Sequence, residues 1–143
     1  MSITETKSSP TGAVAAAYDA YTEEYRNRLL AIRRLILGVP NHHPEIGGLV
    51  ETLKWGEPSY LPLKKNIGST VRLNWRPAYG ERIGLFVMCS TPLISEFKTH
   101  YPDELEFEGK RCVWVPLKGA LQVEPIKHCI ALALTYHLRK RQK

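Results

Sequence analysis

Apolar and polar positions follow two different periods along this chain, and the change of period divides it. Val14, Tyr18, Tyr21, Tyr25, Leu29, Ile32, Ile36 and Val39 recur at steps of three and four, the spacing of one helix face. Asp19, Glu23, Glu24, Arg26, Asn27 and Arg33 fall largely off that stripe. One long amphipathic helix is therefore expected, ended by Gly38 and Pro40. Pro44 suits the first turn of a second helix, with Ile46, Leu49, Val50 and Leu53 as its apolar face.

Further on the period falls to two. Tyr60 to Leu63 is a short extended piece broken by Pro62, which suits a sheet edge. Val71, Leu73 and Trp75 alternate with Arg72, Asn74 and Arg76, and Ile83, Leu85 and Val87 alternate after a turn at Pro77-Ala78-Tyr79-Gly80. Thr91-Pro92 opens a short helix carrying Leu93, Ile94, Phe97 and Tyr101, which Pro102 stops. Leu105 to Phe107 and Arg111 to Val115 read as two strands around Glu108-Gly109. Pro125 opens a last helix with Ile126, Ile130, Ala133, Leu134 and His137 or Leu138 on its stripe. Short turns between strands mean antiparallel pairing, so the fold class is α+β, an antiparallel sheet of about five strands packed against N- and C-terminal helices. Residues 12–143 form one domain behind a polar tail, 1–11.

Between the two regimes stands Leu53-Lys54-Trp55-Gly56-Glu57-Pro58-Ser59-Tyr60. Gly56 and Pro58 force a helix reaching Leu53 to stop and pass into an extended segment. Trp55 then either plugs the core at that corner, with Glu57 in solvent, or floors a small pocket with Glu57 and Tyr60 at its rim.

Charge adds one partner class. Twenty basic and 14 acidic residues leave a net +6. Arg139, Lys140, Arg141 and Lys143 account for much of the excess, a tail that suits a solvated helix end. Nucleic acid would be held at most weakly, through that tail. No apolar run is long enough for a membrane span, and the N-terminus has no signal-like segment, so no membrane partner and a cytoplasmic setting are expected. Cys89, Cys112 and Cys129 form no C-x-x-C pair, so no disulfide framework is expected.

Catalytic and metal signatures are missing. There is no P-loop, dinucleotide fingerprint, nucleophile elbow or H-E-x-x-H helix. His42 and His43 are loop neighbours whose side chains point apart, and His128 and His137 are not one helical turn apart. Cys89 before a helix is the one candidate nucleophile.

Lys54-Trp55-Gly56-Glu57-Pro58-Ser59-Tyr60 resembles the K-W-G-x-P-[ST]-Y signature of the YdhG-like family, the bacterial domain of unknown function 1801. Gly68-Ser69-Thr70-Val71-Arg72-Leu73, Phe107-Glu108-Gly109-Lys110-Arg111 and Ala131-Leu132-Ala133-Leu134-Thr135-Tyr136-His137 extend the likeness over nearly the whole chain. The resemblance implies a compact α+β domain with terminal helices on an antiparallel sheet. One branch of the family is likened to frataxin, which implies an iron carrier built on carboxylates of the first helix and first strand. The first helix here offers Asp19, Glu23 and Glu24, followed by Arg26, Arg28, Arg33 and Arg34.

The reading that combines these signals is a non-enzymatic binding or accessory domain without cofactor or metal. Its ligand site comprises Trp55, Glu57, Tyr60, Arg72 and Trp75, and its ligand is a small anion held by Arg72. The alternatives are a frataxin-like metal carrier and an enzyme using Cys89. A second copy of the chain is the remaining partner to consider.

Overall fold

The computed structural model describes residues 9–142. The polar tail expected over 1–11 falls mostly outside them. Among the described residues five helices, α1 (Gly12–Asp19), α2 (Glu23–Gly38), α3 (Leu93–His100), α4 (Val123–Leu134) and α5 (Tyr136–Arg141), accompany one antiparallel sheet. Its strands are β1 (Leu49–Lys54), β2 (Glu57–Pro62), β3 (Val71–Asn74), β4 (Arg82–Phe86), β5 (Glu106–Glu108) and β6 (Cys112–Pro116). They lie in the order β1-β2-β3-β4-β6-β5. The α+β class, the terminal helices and the antiparallel pairing are as the periodicities predict, and the sheet has one strand more than expected.

That strand is β1. The second helix foreseen from Pro44 is a single 3-10 turn, Pro44–Ile46, after which Gly47 takes a φ of +72° and the chain extends. Ile46, Leu49, Val50 and Leu53 satisfy a helical step, but Leu49, Glu51 and Leu53 equally satisfy a strand step. The strand prevails because β2 pairs with it along its whole length, Leu49 against Pro62 through Lys54 against Glu57. The helix-to-strand corner is therefore the two-residue turn of a β-hairpin. Trp55 (φ +57°) and Gly56 (φ +75°) occupy its centre, both left-handed as a type I′ turn requires.

The prolines of β2 limit its other edge. Leu63 N–H donates to Gly48 O at 2.8 Å, so odd-numbered residues of β2 bond β1 and even-numbered ones face β3. Pro58 and Pro62 have no N–H to give there. The β2–β3 ladder is confined to Ser59–Arg72 and Tyr60–Val71. β2 is thus an inner strand rather than the expected edge.

The expected first helix is two. Thr22 is extended between α1 and α2 (ψ 157°), and Arg26 Nη1 donates to Tyr21 O at 2.9 Å across the break. The bend sends Tyr18 against the hairpin and Tyr25 against Trp75, whose ring it stacks on at 3.9 Å. The last helix is also interrupted, at Thr135 (φ −117°). Ser69 N–H donates to Ala133 O and Leu138 N–H donates to Ile67 O, so the β2–β3 loop docks on the carbonyls and amides that the break exposes.

The helices cover one face of the sheet. Tyr60, Val71, Leu73, Ile83, Leu85, Val113 and Val115 point into that core, against Leu29, Ile32, Ile36, Ile126 and Ile130. The opposite face carries Arg72, Asn74, Phe86, Cys112 and Trp114, by strict alternation along the strands. Phe86, Cys112, Trp114 and the adjoining Tyr79 make a second, small apolar cluster there.

Candidate functional site

The five residues expected to share a pocket are divided between the two sides of the sheet. Trp55 is 91% exposed at the hairpin tip and floors nothing. Tyr60 is fully buried on the helix-covered side. There its O–H donates to Glu51 Oε2 at 2.6 Å and accepts from Tyr18 O–H at 2.6 Å, while Arg33 holds the same carboxylate with two bonds. This chain joins α1, β2, β1 and α2 and belongs to the core. Trp75 continues past β3, stacks on Tyr25 and donates from Nε1 to Gly80 O at 2.8 Å. It ties α2 to the turn before β4.

Glu57 and Arg72 do meet, on the open side. Glu57 is 7% exposed rather than solvated. Arg72 Nη1 donates to Oε1, and Asn74 Nδ2 and Arg76 Nη2 donate to Oε2, Arg76 at 3.2 Å. Three donors compensate a carboxylate that would otherwise be costly to bury. Arg72 also lies 5.2 Å from the Phe86 ring centre, and Arg82 lies 4.0 Å from that of Trp114 while bonding Glu106 at 2.8 Å. The guanidinium groups thus roof the apolar cluster of the open face. One acceptor in this arrangement has no partner, Asn74 Oδ1, which is buried. The cluster Glu57, Arg72 and Arg76 carries one unit of positive charge, from two guanidiniums and one carboxylate.

The structure assembles a histidine group that sequence spacing does not suggest. Tyr101, at the end of α3, places its hydroxyl 2.7 Å from His128 Nδ1 on α4. The His100 ring meets the His128 ring edge-on at 4.7 Å. A cleft of about 310 Å³ lined by His42, His43, Glu124, Lys127 and His128 opens beside them. These residues come from three separate segments, and no sequence spacing signals that they meet. Burial first, then His100, holds the His128 pKa below its ordinary 6.5. The folded state thus binds the proton less well than the unfolded chain. The contribution of His128 to stability is full above pH 6.5 and is lost as the pH falls below it. Melting temperature should drop as the pH falls below 6.5, and drop less in His128→Gln. Equal drops in the two proteins would assign the titration to another group.

Cys89 is exposed beside a cleft that also holds Ser90, Ser95, Lys98 and Lys110. No histidine or carboxylate lines that cleft among the described residues. Cys112 and Cys129 are buried, and burial pushes both thiols up to about 12. Among the described residues no group of three or more His, Cys, Asp or Glu is placed to hold a metal ion, and no helix is long and apolar enough to cross a membrane. The basic tail is partly structural. Arg139 makes a two-bond pair with Glu96 on α3, at 2.7 and 3.0 Å, and Arg141 donates to Asn66 O. No family model, no curated protein and no solved structure matches this chain.

Proposed function

We propose that the protein is a non-enzymatic, cytoplasmic binding or accessory domain of YdhG-like type, which takes an anionic ligand on the open face of its sheet at Arg72 and Arg76. The observation that carries this reading is the pair of guanidiniums converging on the single carboxylate of Glu57. Glu57 fixes their positions and leaves one positive charge over. The Arg76 side chain is 65% exposed, so most of its donors face solvent. A planar guanidinium held from behind offers a two-pronged site to a carboxylate or phosphate. The W-G-x-P-x-Y resemblance and the three free cysteines support the family and the reducing compartment.

The test is a titration with inorganic phosphate and with citrate, followed by NMR of the arginine side-chain Nε–H groups. Saturable shifts at Arg72 and Arg76 that vanish in Arg76→Gln are expected, with the melting temperature within about 2 °C of wild type, as for a surface change. Shifts confined to Arg139, Arg141 and the lysines, or unchanged in Arg76→Gln, would remove the site from this face.

A further inference from the structure

The β1–β2 turn displays a large aromatic where a small polar residue would be easier to place. A type I′ turn wants Asn, Asp or Gly at its first central position. Here that position is Trp55, with φ +57°, an unusual conformation for a bulky side chain. The indole gains no compensating burial, being 91% exposed. Strained display of this kind clusters at binding sites.

The net charge next to this ring is positive. Lys54 and Glu57 are paired across the turn, Glu57 lies on the face of Arg72 and Asn74, and Arg76 joins it. Lys54, Arg72 and Arg76 against Glu57 leave two positive charges on the β1–β3 half of the open face, a span of about 10 Å. The other half is different. Arg82 is neutralised by Glu106, and Glu108 accepts from Trp114 Nε1. An anionic chain would therefore run along β1 to β3 and avoid β5.

We propose that the ligand of this face is single-stranded nucleic acid, with a base stacked on Trp55 and its phosphates on Lys54, Arg72 and Arg76. This rests on the anion site proposed above. A lone exposed aromatic beside cations is the recurring arrangement for single strands, because every base has a face to stack. A duplex keeps its bases stacked on one another and has none to offer. A lipid or protein surface would call for an apolar patch. Among the described residues the other large exposed apolar ones, Leu63, Met88 and Val123, lie outside this turn, with Leu63 at the far end of the hairpin, bonded to Gly48.

Fluorescence anisotropy with labelled oligo(dT), oligo(U) and a duplex of the same length tests this, using wild type, Trp55→Asn and the double variant Lys140→Gln/Arg141→Gln. Single strands should bind more tightly than duplex. With three phosphates neutralised, log K should fall against log salt with a slope near −2, about a 20-fold loss between 50 and 200 mM. Trp55→Asn should weaken binding by about 10- to 100-fold while its melting temperature stays or rises, since Asn-Gly is the preferred turn. The tail variant should bind nearly as wild type does. Equal binding by Trp55→Asn, equal binding of duplex, or loss only in the tail variant would overturn the proposal. So would Trp55-dependent binding to anionic lipid vesicles without binding to oligonucleotides. If oligonucleotides fail while phosphate still shifts Arg76, the nucleic-acid reading falls and the anion site stands. If phosphate fails as well, the anion site itself falls.

Discussion

Gly68→Ala is expected to cost at least about 3 kcal/mol, and in a domain of ordinary stability to leave a large unfolded fraction. A Cβ at this position would stand 1.9 Å from Leu134 O, 2.2 Å from Leu134 C and 2.7 Å from its Cα. All three are backbone atoms, so no rotamer change relieves the overlap. Nor can the loop withdraw freely, because Ser69 N–H and Ile67 O bond Ala133 and Leu138 on either side, at 2.8 and 2.9 Å. The contact lies at the point where the last helix is interrupted, at Thr135. A methyl at Gly68 therefore pushes the β2–β3 loop and the α4–α5 junction apart together. Chemical denaturation measures the loss. Gly48→Ala is the contrast, with no positive φ and the flexible Leu63 side chain as its nearest neighbour at 3.7 Å, and should change stability by only about 0.5 kcal/mol. A comparable loss for Gly68→Ala would mean that the loop does not thread against the helix.

Glu51→Ala should cost about 3 kcal/mol, the low end for taking one partner from a buried ion pair. Its carboxylate accepts from Arg33 at 2.6 and 3.2 Å and from Tyr60 at 2.6 Å. The low end applies because the Glu51 side chain keeps 22% exposure while that of Arg33 keeps 5%. Burial alone would raise the Glu51 pKa, but the bonds from Arg33 and Tyr60 outweigh it and the net shift is downward from 4.5. The unfolded chain therefore takes up this proton first as the solution is acidified. The stability from Glu51 is whole above pH 4.5 and is lost as the pH falls through the lower folded value. Urea unfolding at neutral pH and across the acid range measures both effects. A neutral-pH loss under about 1 kcal/mol, or an acid profile identical in wild type and Glu51→Ala, would show that the Tyr18–Tyr60–Glu51–Arg33 chain is not a working unit.

Much of the fold was legible because it depends on local period. Val71 to Arg76 and Ile83 to Val87 alternate, and alternation is a property of the segment alone. The same holds for α3 between Pro92 and Pro102, for the β5–β6 pair around Gly109, and for the stripes of α2 and α4. Where two periods fit equally, at Ile46 to Leu53, the choice fell to a partner strand that the segment does not contain. At Trp55-Gly56 the hydrophobicity of tryptophan favours burial, but the pairing of β1 with β2 makes these two residues the exposed hairpin turn.

The candidate site was less legible still. Sequence by itself determined the alternation that sets Arg72 and Asn74 on one face of β3 and Val71 and Leu73 on the other, and it determined the excess of basic charge. The β2–β3 register then put Glu57 with Arg72, and Tyr60 on the opposite side. Only the tertiary structure decided that Glu57 is buried, because three donors from β3 and its end converge on it. It alone decided that Arg139 braces α3 while Trp55 stands in solvent, and that His100, Tyr101 and His128 meet. The physical reason is the same in each case. Whether a charge or an aromatic ring is buried depends on what the rest of the chain brings to it, and those groups come from segments far apart in sequence.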